Sequence, residues 1–266
     1  MSRALLAAQS GFGKSYLGQW WIEDNVDEYD HLVVADYKGE YRGLCKKNSG
    51  LPESKRCNWV GVGEVEADWS VDVWVELLKQ EARLVLERGV DEATWQEIVA
   101  KIARAARRLD GTVLVVIDEA HFVAPGRGSI PDEVKGLATT GRGEGVSTVW
   151  ITQRLQELNE TVLAQTDVRL LGGFSNDNDL GKIGRIVDYN PDIHNPGSTA
   201  VRVPDAIDRD GKPVQQFEND DGQLIGSEWI WSTTSGDLDR INTQDLELTS
   251  THYGGEDQNL SKPGAG

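Results

Sequence analysis

The sequence is short of basic residues. It has 27 lysines and arginines against 44 aspartates and glutamates, which gives a formal net charge of -17. Such a deficit usually argues against a nucleic-acid partner, because clustered Lys and Arg side chains bind the phosphate backbone. It also suits a protein that stays hydrated in concentrated salt, where screening acts within about 3 Å and binding relies on local contacts. The composition therefore favours a protein of a high-salt organism, with an ordinary acidic cytoplasmic protein as the alternative.

Cysteine and histidine are also scarce, and long apolar runs are absent. Cys45 and Cys57 form no CxxC pair and the four histidines are scattered, so neither a zinc site nor a disulfide framework is predicted. We find no signal peptide and no apolar run near the roughly 20 residues that a membrane-spanning helix needs. We therefore expect an intracellular protein with no membrane span of its own.

Apolar runs that alternate with helical patterns predict an α/β fold. Two amphipathic helices are predicted from the spacing of apolar residues between Val71 and Val85 and between Trp95 and Leu109, and a short helix should run to about Ala138. This alternation predicts a parallel sheet with both faces covered. The predicted strands are 3–8, 31–36, 112–118, 147–152 and 168–174.

The pattern changes after about residue 190. The short segments STAVRV, VQQF and SEWIWST, separated by DRDGK and ENDDGQ, predict antiparallel hairpins. From about Gly236 the chain is polar, which is typical of a disordered tail. We therefore divide the chain into an α/β core at 1–190, a β-hairpin extension packed on the core at 191–235, and a polar, disordered tail at 236–266.

A glycine-rich loop, AQSGFGKS at residues 8–15, follows the first predicted strand. It is close to the pattern G-x-x-x-x-G-K-[ST], in which N–H groups at a helix N-terminus hold phosphates, the lysine reaches the β- and γ-phosphates and the hydroxyl ligates Mg²⁺. The departure is Ala8, which is tolerated if residue 8 has a negative φ. The predicted nucleotide-binding residues are Gln9, Ser10, Gly11, Phe12, Gly13, Lys14, Ser15 and Tyr16.

The second motif, VLVVIDEAHF at residues 113–122, is an apolar strand that ends in two acidic residues. Asp118 is predicted to hold Mg²⁺ together with Ser15, and Glu119 to activate the attacking water. This pair favours a hydrolysing motor over a small-molecule kinase, since kinases need no water-activating glutamate after the aspartate. We expect His121 to pack in the core or to support the neighbouring carboxylates rather than to take part in catalysis.

Two more side chains complete the predicted catalytic set. Gln153 follows the strand STVWIT, and its amide emerges beside the γ-phosphate if that strand lies between the phosphate-loop strand and the Asp-Glu strand. Arg142, in TTGRGEGVS, is placed to reach a neighbouring subunit's ATP as an arginine finger. The alternative is a solvent-exposed loop arginine, and Arg154 and Arg169 are weaker candidates for the finger.

The order and spacing of these motifs resemble the HerA/FtsK superfamily of ring-forming, DNA-pumping ATPases. The matching segments are AQSGFGKS, DYKGEY at 36–41, VVIDEAHF and GRGEGVSTVWITQR, and the resemblance covers roughly residues 3–174. DYKGEY is similar to that family's D-P-[HK]-G-E-Y turn after the second strand. Tyr37 replaces the proline of that turn, and Ala8 is the other departure.

The resemblance implies a RecA-like P-loop NTPase core with a mostly parallel central sheet flanked by helices. It also implies a homo-oligomer, a hexameric ring, with ATP sites between subunits and double-stranded DNA threaded through a central pore. By position, the resemblance assigns phosphate and Mg²⁺ binding to Lys14 and Ser15, and metal coordination to Asp118. It assigns the role of catalytic base to Glu119, of sensor to Gln153, and of an arginine finger that acts in trans to Arg142.

The layout is most like the genome-packaging ATPases of membrane-containing icosahedral DNA viruses of a haloarchaeal type. We expect neither a β-barrel before the motor nor a membrane anchor or winged-helix module after it. This implies action in the host cytoplasm or on the virion, with a virion vertex or membrane protein as a partner. The same sequence features are expected of a cellular or plasmid HerA-like translocase, or of a pleomorphic-virus ATPase that acts as a nucleotide-dependent switch. A DEAH-type helicase fits poorly, because such helicases carry two RecA-like domains.

Two basic stretches are candidates for DNA contact. They are KIARAARR at 101–108 and the segment 46–56. An amphipathic helix with a solvated basic face explains the first stretch equally well.

Overall fold

A computed structural model describes residues 1–46 and 50–253 of the chain. Within these residues, ten strands form one sheet, in the order β10-β9-β7-β1-β6-β5-β2-β4-β3, with β8 paired to β9. Strands β1 to β7 run parallel, and β8 to β10 are antiparallel to their neighbours. The strands are β1 Arg3–Ala7, β2 His31–Asp36, β3 Asn58–Val62, β4 Arg83–Arg88, β5 Val113–Ile117, β6 Val146–Thr152, β7 Val168–Leu171, β8 Gln216–Glu218, β9 Leu224–Thr233 and β10 Leu238–Asn242.

Helices connect the parallel strands and cover both faces of the sheet. The α-helices are α1 Lys14–Asn25, α2 Glu64–Ala67, α3 Val71–Gln80, α4 Glu92–Ala106, α5 Ala120–Val123, α6 Asp132–Thr139, α7 Glu160–Gln165 and α8 Asp177–Ile183. Short 3₁₀ turns occur at Val26–Glu28, Arg42–Leu44, Glu53–Lys55, Gly141–Glu144, Leu155–Glu157, Pro191–His194 and Thr243–Asp245. No helix among the described residues is long and apolar enough to cross a membrane.

The hydrophobic core lies in two layers because successive residues of a strand point to opposite faces. In β1, Leu5 packs in the layer beneath α3 and α4, while Leu6 packs in the layer that includes α1. Both residues are fully buried, which explains why the strands read as continuous apolar runs in the sequence. The predicted RecA-like α/β fold with a mostly parallel, helix-flanked sheet is confirmed.

One predicted helix was too long. The spacing from Val71 to Val85 predicts a single helix, but α3 ends at Gln80 and Val85 lies in β4, between β2 and β3. The three buried residues at 84–86 continue the apolar spacing of the helix by coincidence, and periodicity alone does not separate a short buried strand from a helix.

The C-terminal region is more ordered than the sequence indicates. STAVRV forms no strand, whereas β8 and β9 contain residues of VQQF and SEWIWST, and β9 extends the central sheet beside β7. The prediction of disorder was wrong for 236–253, where β10 pairs with β9 and Ser250 donates its backbone N–H to buried Glu23 on α1. Buried polar contacts of this kind leave no mark in composition. The rest of the predicted tail, 254–266, lies outside the described residues.

Candidate active site

The predicted phosphate loop connects β1 to α1 at the carboxyl edge of the parallel strands. Gly11 and Gly13 have φ of 76° and 79°, the left-handed region that glycine occupies without a steric penalty. Phe12 between them points inward, fully buried, and meets Trp229 of β9 edge-on at 5.7 Å between ring centroids. The buried Phe12 side chain therefore anchors the loop, while the loop backbone lies at the carboxyl edge of the sheet.

The loop presents backbone donors that the protein itself does not use. Among the described residues, no acceptor is paired with the N–H groups of residues 10–15, and the first N–H groups of a helix have no partner within it. Lys14 donates to the carbonyl of Gln9 at 3.0 Å. Burial lowers the pKa of Lys14 to about 8, although Glu119 and Asp118 oppose the shift. These features suit a polyanionic ligand such as a nucleotide triphosphate.

Ala8, the departure from the phosphate-loop pattern, fits without backbone strain. Among the described residues outside glycine, only Glu119 and Asp210 have positive φ, so residue 8 has the negative φ that we expected. Its methyl group faces Gly172, just after β7, where an added Cβ would lie 2.8 Å from that of Ala8. The space for Ala8 is thus provided by a glycine on the neighbouring strand.

Asp118 and Glu119 follow β5 and are buried, with 4% and 1% of their surface exposed. Burial, with Asp36 and Glu119 nearby, raises the pKa of Asp118 well above its ordinary value. Its Oδ2 has no hydrogen-bond partner among the described residues. A buried carboxylate oxygen without a donor and a hydroxyl such as that of Ser15, in the first turn of α1, are the ligand types that Mg²⁺ takes when phosphates and water complete its shell.

Glu119 has the left-handed backbone conformation φ 46°, ψ 48°, which is rare for a residue with a Cβ and is found most often at functional sites. Its Oε1 forms an ion pair with the ammonium of Lys38, from the DYKGEY turn. Burial lowers the pKa of Lys38, but the hydrogen bond and charge of Glu119 outweigh burial, so the pKa is raised. No role was predicted for Lys38, because nothing local in the sequence links residues 38 and 119.

His121 is buried beside Glu119 and packs tilted against Phe122, at 4.2 Å between ring centroids. Its Nδ1 shares a hydrogen bond of 3.0 Å with the hydroxyl of Thr152 and lies 3.4 Å from Glu119 Oε2. Burial lowers the pKa of His121, which favours a neutral ring. The contacts agree with the expected packing role.

Gln153 follows β6, and β6 lies between β1 and β5 as the sequence argument required. Its backbone position is therefore at the same edge as the phosphate loop and Asp118. The next residue, Arg154, pairs with Glu157 at 3.2 Å on the surface.

Arg142 does not join this cluster. It lies in the 3₁₀ turn before β6, and β6 spans about 20 Å from that turn to Gln153. Its guanidinium is more than half exposed and lies 3.7 Å from Asp167, which precedes β7. Arg142 is thus at the amino edge of the sheet, opposite the phosphate loop of its own chain.

Hydrogen bonds from the C-terminal region, which were not predicted from the sequence, hold the phosphate loop and the start of α1. Gln216 of β8 donates to the Gly11 carbonyl at 2.8 Å, and Ser227 of β9 donates to the Phe12 carbonyl at 2.9 Å. Tyr16, at the start of α1, donates to the carbonyl of Leu246 at 2.7 Å. These C-terminal residues are of common types and lie more than 200 positions away, so no local signal could have revealed them.

The described basic residues of the two stretches proposed for DNA contact are largely paired inside the chain, and residues 47–49 of the second stretch lie outside the described residues. Arg107 pairs with Glu144, and Arg108 lies 2.7 Å from Asp72. Lys101 donates to the carbonyl of Ala67 at 2.6 Å. In the second stretch, Lys55 lies 2.9 Å from Asp27. The geometry favours the solvated, ion-paired helix face over a dedicated DNA surface for 101–108.

No protein-family model and no curated protein sequence matches this chain. Solved structures with a similar fold do exist. The genome packaging NTPase B204 from Sulfolobus turreted icosahedral virus 2, in complex with ATP-gammaS, aligns with a TM-score of 0.57 and 14% identity, over 90% of this chain and 95% of that chain. VirB4 of Thermoanaerobacter pseudethanolicus aligns with a TM-score of 0.56 and 10% identity, over 92% of this chain and 89% of that chain.

At these identities the likeness establishes the fold. B204 of Sulfolobus turreted icosahedral virus, described as a DNA-packaging ATPase, aligns at a TM-score of 0.55 and 14% identity, over 90% of this chain and 96% of that chain. The resemblance drawn from the motifs is therefore matched in three dimensions. It extends past residue 174, where the sequence resemblance ended.

Proposed function

We propose that this chain hydrolyses ATP and uses the energy to translocate double-stranded DNA, as a viral genome-packaging motor. The observation that carries the hydrolytic part is the meeting of three features at one sheet edge. They are the unpaired N–H groups of residues 10–15, the buried Lys14, and the Asp118–Glu119 pair. The packaging role is supported by the likeness to B204 over nearly the whole length of both chains.

The chain's own residues divide the work of hydrolysis. The loop N–H groups and Lys14 hold the phosphates. Ser15 and Asp118 hold Mg²⁺, which when bound neutralises charge on the β- and γ-phosphates. Glu119 accepts the proton of the attacking water, and Gln153 orients that water.

The placement of Arg142 supports a ring of several copies. Lys14 and Arg142 of one chain lie at opposite edges of a sheet about 20 Å deep, so one nucleotide cannot touch both. An Arg142 that acts as a finger must therefore reach the ATP of a neighbouring chain. We infer a homo-oligomer, a hexameric ring, in which Arg142 completes the neighbour's site. Action in a host cytoplasm or on a virion of a high-salt organism, with a vertex or membrane protein as partner, belongs to the same proposal.

Steady-state hydrolysis in high KCl tests the enzyme. Lys14→Ala and Glu119→Gln should each lower kcat at least about 100-fold, while Glu97→Gln, on the exposed face of α4, should leave it unchanged. Duplex DNA should stimulate the wild type, with a salt-dependent effect. Tight ATP binding without turnover would overturn the motor in favour of a nucleotide-dependent switch.

The subunit contact has its own test. Lys14→Ala and Arg142→Ala proteins should each be inactive alone, and mixing them should restore part of the activity, because some interfaces then combine an intact loop with an intact arginine. Co-assembly is checked by native mass spectrometry. Assembled mixtures that stay inactive would remove Arg142 from the proposed site.

A further inference from the structure

The DYKGEY turn, which the proposed mechanism leaves without a role, is held rigidly by its own aspartate. The Asp36 carboxylate accepts the backbone N–H groups of Gly39, Glu40 and Tyr41 at 2.7, 3.1 and 3.0 Å. Asp36 is fully buried. Three charge-assisted bonds to consecutive donors fix the backbone that carries Lys38.

The same turn is fastened to the segment that carries Glu119. The Tyr37 ring stacks on Phe122 at 4.5 Å between centroids and 17° between planes. Arg88 covers Tyr37 at 4.0 Å from the ring centroid. Tyr37 stands where the family resemblance has proline, and its ring makes a contact that proline lacks. The distance between residue 38 and residue 119 is thus set by packing on both sides.

Within this frame, the two oxygens of Glu119 have different surroundings. Oε1 is paired with the Lys38 ammonium. Oε2 has no hydrogen-bond partner among the described residues, and the Nδ1 of His121 lies 3.4 Å from it. One oxygen is therefore held, and the other keeps its lone pairs available to a proton donor.

We propose that Lys38 is a positioning residue for hydrolysis, which fixes Glu119 through Oε1 and leaves Oε2 to accept the proton of the attacking water. This rests on the proposed ATPase function. As the water oxygen bonds to the γ-phosphorus, the bond to the bridging oxygen breaks, ADP leaves with that electron pair, and the water proton passes to Oε2. Lys38 keeps its own proton throughout and does not touch the reacting atoms.

The alternative is that the ion pair only stabilises the fold. A structural role would alter the melting temperature and leave catalysis intact in the folded protein. A positioning role separates kcat from nucleotide binding, because the phosphates are held by the loop and Lys14, whereas only the water step depends on Glu119 geometry. A displacement of about 1 Å at a reacting group is enough to cost about 100-fold in rate.

The test uses Lys38→Met, Lys38→Gln and Lys38→Arg in the full chain, with Lys79→Met as matched control. Lys79 is an exposed lysine of α3, paired with Glu76 at 3.2 Å. Lys38→Met and Lys38→Gln should lower kcat between about 10- and 100-fold, with the KM for ATP and the Kd of a fluorescent ATP analogue within about threefold of wild type. Lys38→Arg, which keeps a cationic donor, should recover at least a third of kcat.

The Glu119→Gln background separates positioning from other effects. There, Lys38→Met should change the residual rate less than about twofold, because the base it positions is already gone. An unchanged or higher kcat in folded Lys38→Met and Lys38→Gln would overturn the inference, as would an equal further loss in the Glu119→Gln background. A wild-type protein without ATPase activity would instead overturn the proposed function, so the two failures are distinguishable.

Discussion

Two turns at the carboxyl edge of the sheet gather backbone N–H groups, and they differ in whether the chain itself supplies an anion that accepts from those groups. In the turn after β2, the anion is the Asp36 carboxylate, which accepts from residues 39, 40 and 41. In the loop after β1, the N–H groups of residues 10–15 have no acceptor among the described residues. The first turn is closed by the chain itself, and the second remains available to a ligand.

The difference explains how one sheet edge can carry both a rigid element and a binding element. A turn that satisfies its own donors has no affinity for phosphate, but it holds its side chains still. A loop that leaves its donors unpaired needs support from outside, which here comes from Gln216 and Ser227 on the loop carbonyls. Support on the carbonyls leaves the N–H groups free to bind.

The largest expected effect concerns the charge on Asp36. Burial raises its pKa from 3.8 to about 6, although the three backbone N–H bonds act in the opposite direction. Because the pKa is higher in the folded state, the group stabilises the fold below pH 4 and this stabilisation is lost as pH rises through 6. The two pKa values correspond to about 3 kcal/mol at most. Glu40 is a nearby carboxylate that adds to the increase, and Asp118 is a second, buried carboxylate that interacts with Asp36.

Urea unfolding of wild type and Asp36→Asn between pH 4 and 7.5, at constant KCl, measures this effect. The asparagine keeps an acceptor oxygen but does not titrate. The free energy of unfolding of wild type minus that of the variant should fall with rising pH and level off above about pH 7. A difference that rises with pH would show that the three N–H bonds outweigh burial and that the pKa of Asp36 is lowered in the folded protein. The turn would then favour the charged carboxylate.

Much of this edge was predictable from sequence, because its chemistry is local. Asp118 and Gln153 each follow an apolar strand directly, Lys14 begins the helix that follows the loop after β1, and parallel strands place their carboxyl ends together. What could not be predicted depends on distant partners. The Lys38–Glu119 pair and the contacts of Gln216 and Ser227 join residues that no spacing rule connects.

The fold shows the same division between features set by the local sequence and features set by distant partners. Five of the parallel strands were expected, since they read as apolar runs that end in polar turns. β4 was mistaken for the end of α3 because its short apolar run keeps the helical spacing. β10 was mistaken for a disordered tail because its buried arginine, Arg240, is stabilised by Glu228 at 2.5 Å, a pair that composition does not reveal.

A matched pair of glycines gives the next largest effect. Gly13 and Gly39 have nearly equal φ, 79° and 76°, one in each turn. Alanine at either position should cost about 1 to 2 kcal/mol of stability, because a Cβ disfavours the left-handed region. Gly13→Ala should also weaken ATP binding at least about tenfold, since the loop backbone contacts phosphate; Gly39→Ala should leave ATP affinity unchanged and lower kcat by shifting Lys38.

Urea unfolding, ATP titration and steady-state kinetics on both variants check this pair. The Cβ of Gly39→Ala would lie 3.0 Å from an Arg42 nitrogen, a tight contact with the end of a flexible side chain, whereas that of Gly13→Ala would lie 3.4 Å from the Ser227 hydroxyl, an ordinary van der Waals contact. If Gly39→Ala weakened ATP binding as much as Gly13→Ala, the separation between a binding turn and a rigid turn would be wrong.

The smallest effect is expected at Ala8, just before the phosphate loop. Residue 8 has a negative φ and its methyl group is buried, so Ala8→Gly adds conformational freedom to the unfolded chain and removes a buried methyl group, which together should lower the free energy of unfolding by about 1 kcal/mol. ATP affinity should stay within about twofold of wild type, because no phosphate-binding donor moves. Urea unfolding and ATP titration measure the two quantities.

Gly172→Ala sharpens this prediction. A Cβ at residue 172 would lie 2.8 Å from the Cβ of Ala8 and 2.6 Å from the Phe12 ring, so this variant should be destabilised in the wild type. In the Ala8→Gly background only the first contact is removed, and the loss should be reduced but not abolished. An ATP affinity that rises tenfold in Ala8→Gly would show instead that the Ala8 methyl group distorts the loop, and that the loop's open N–H groups are less ready for phosphate than their geometry indicates.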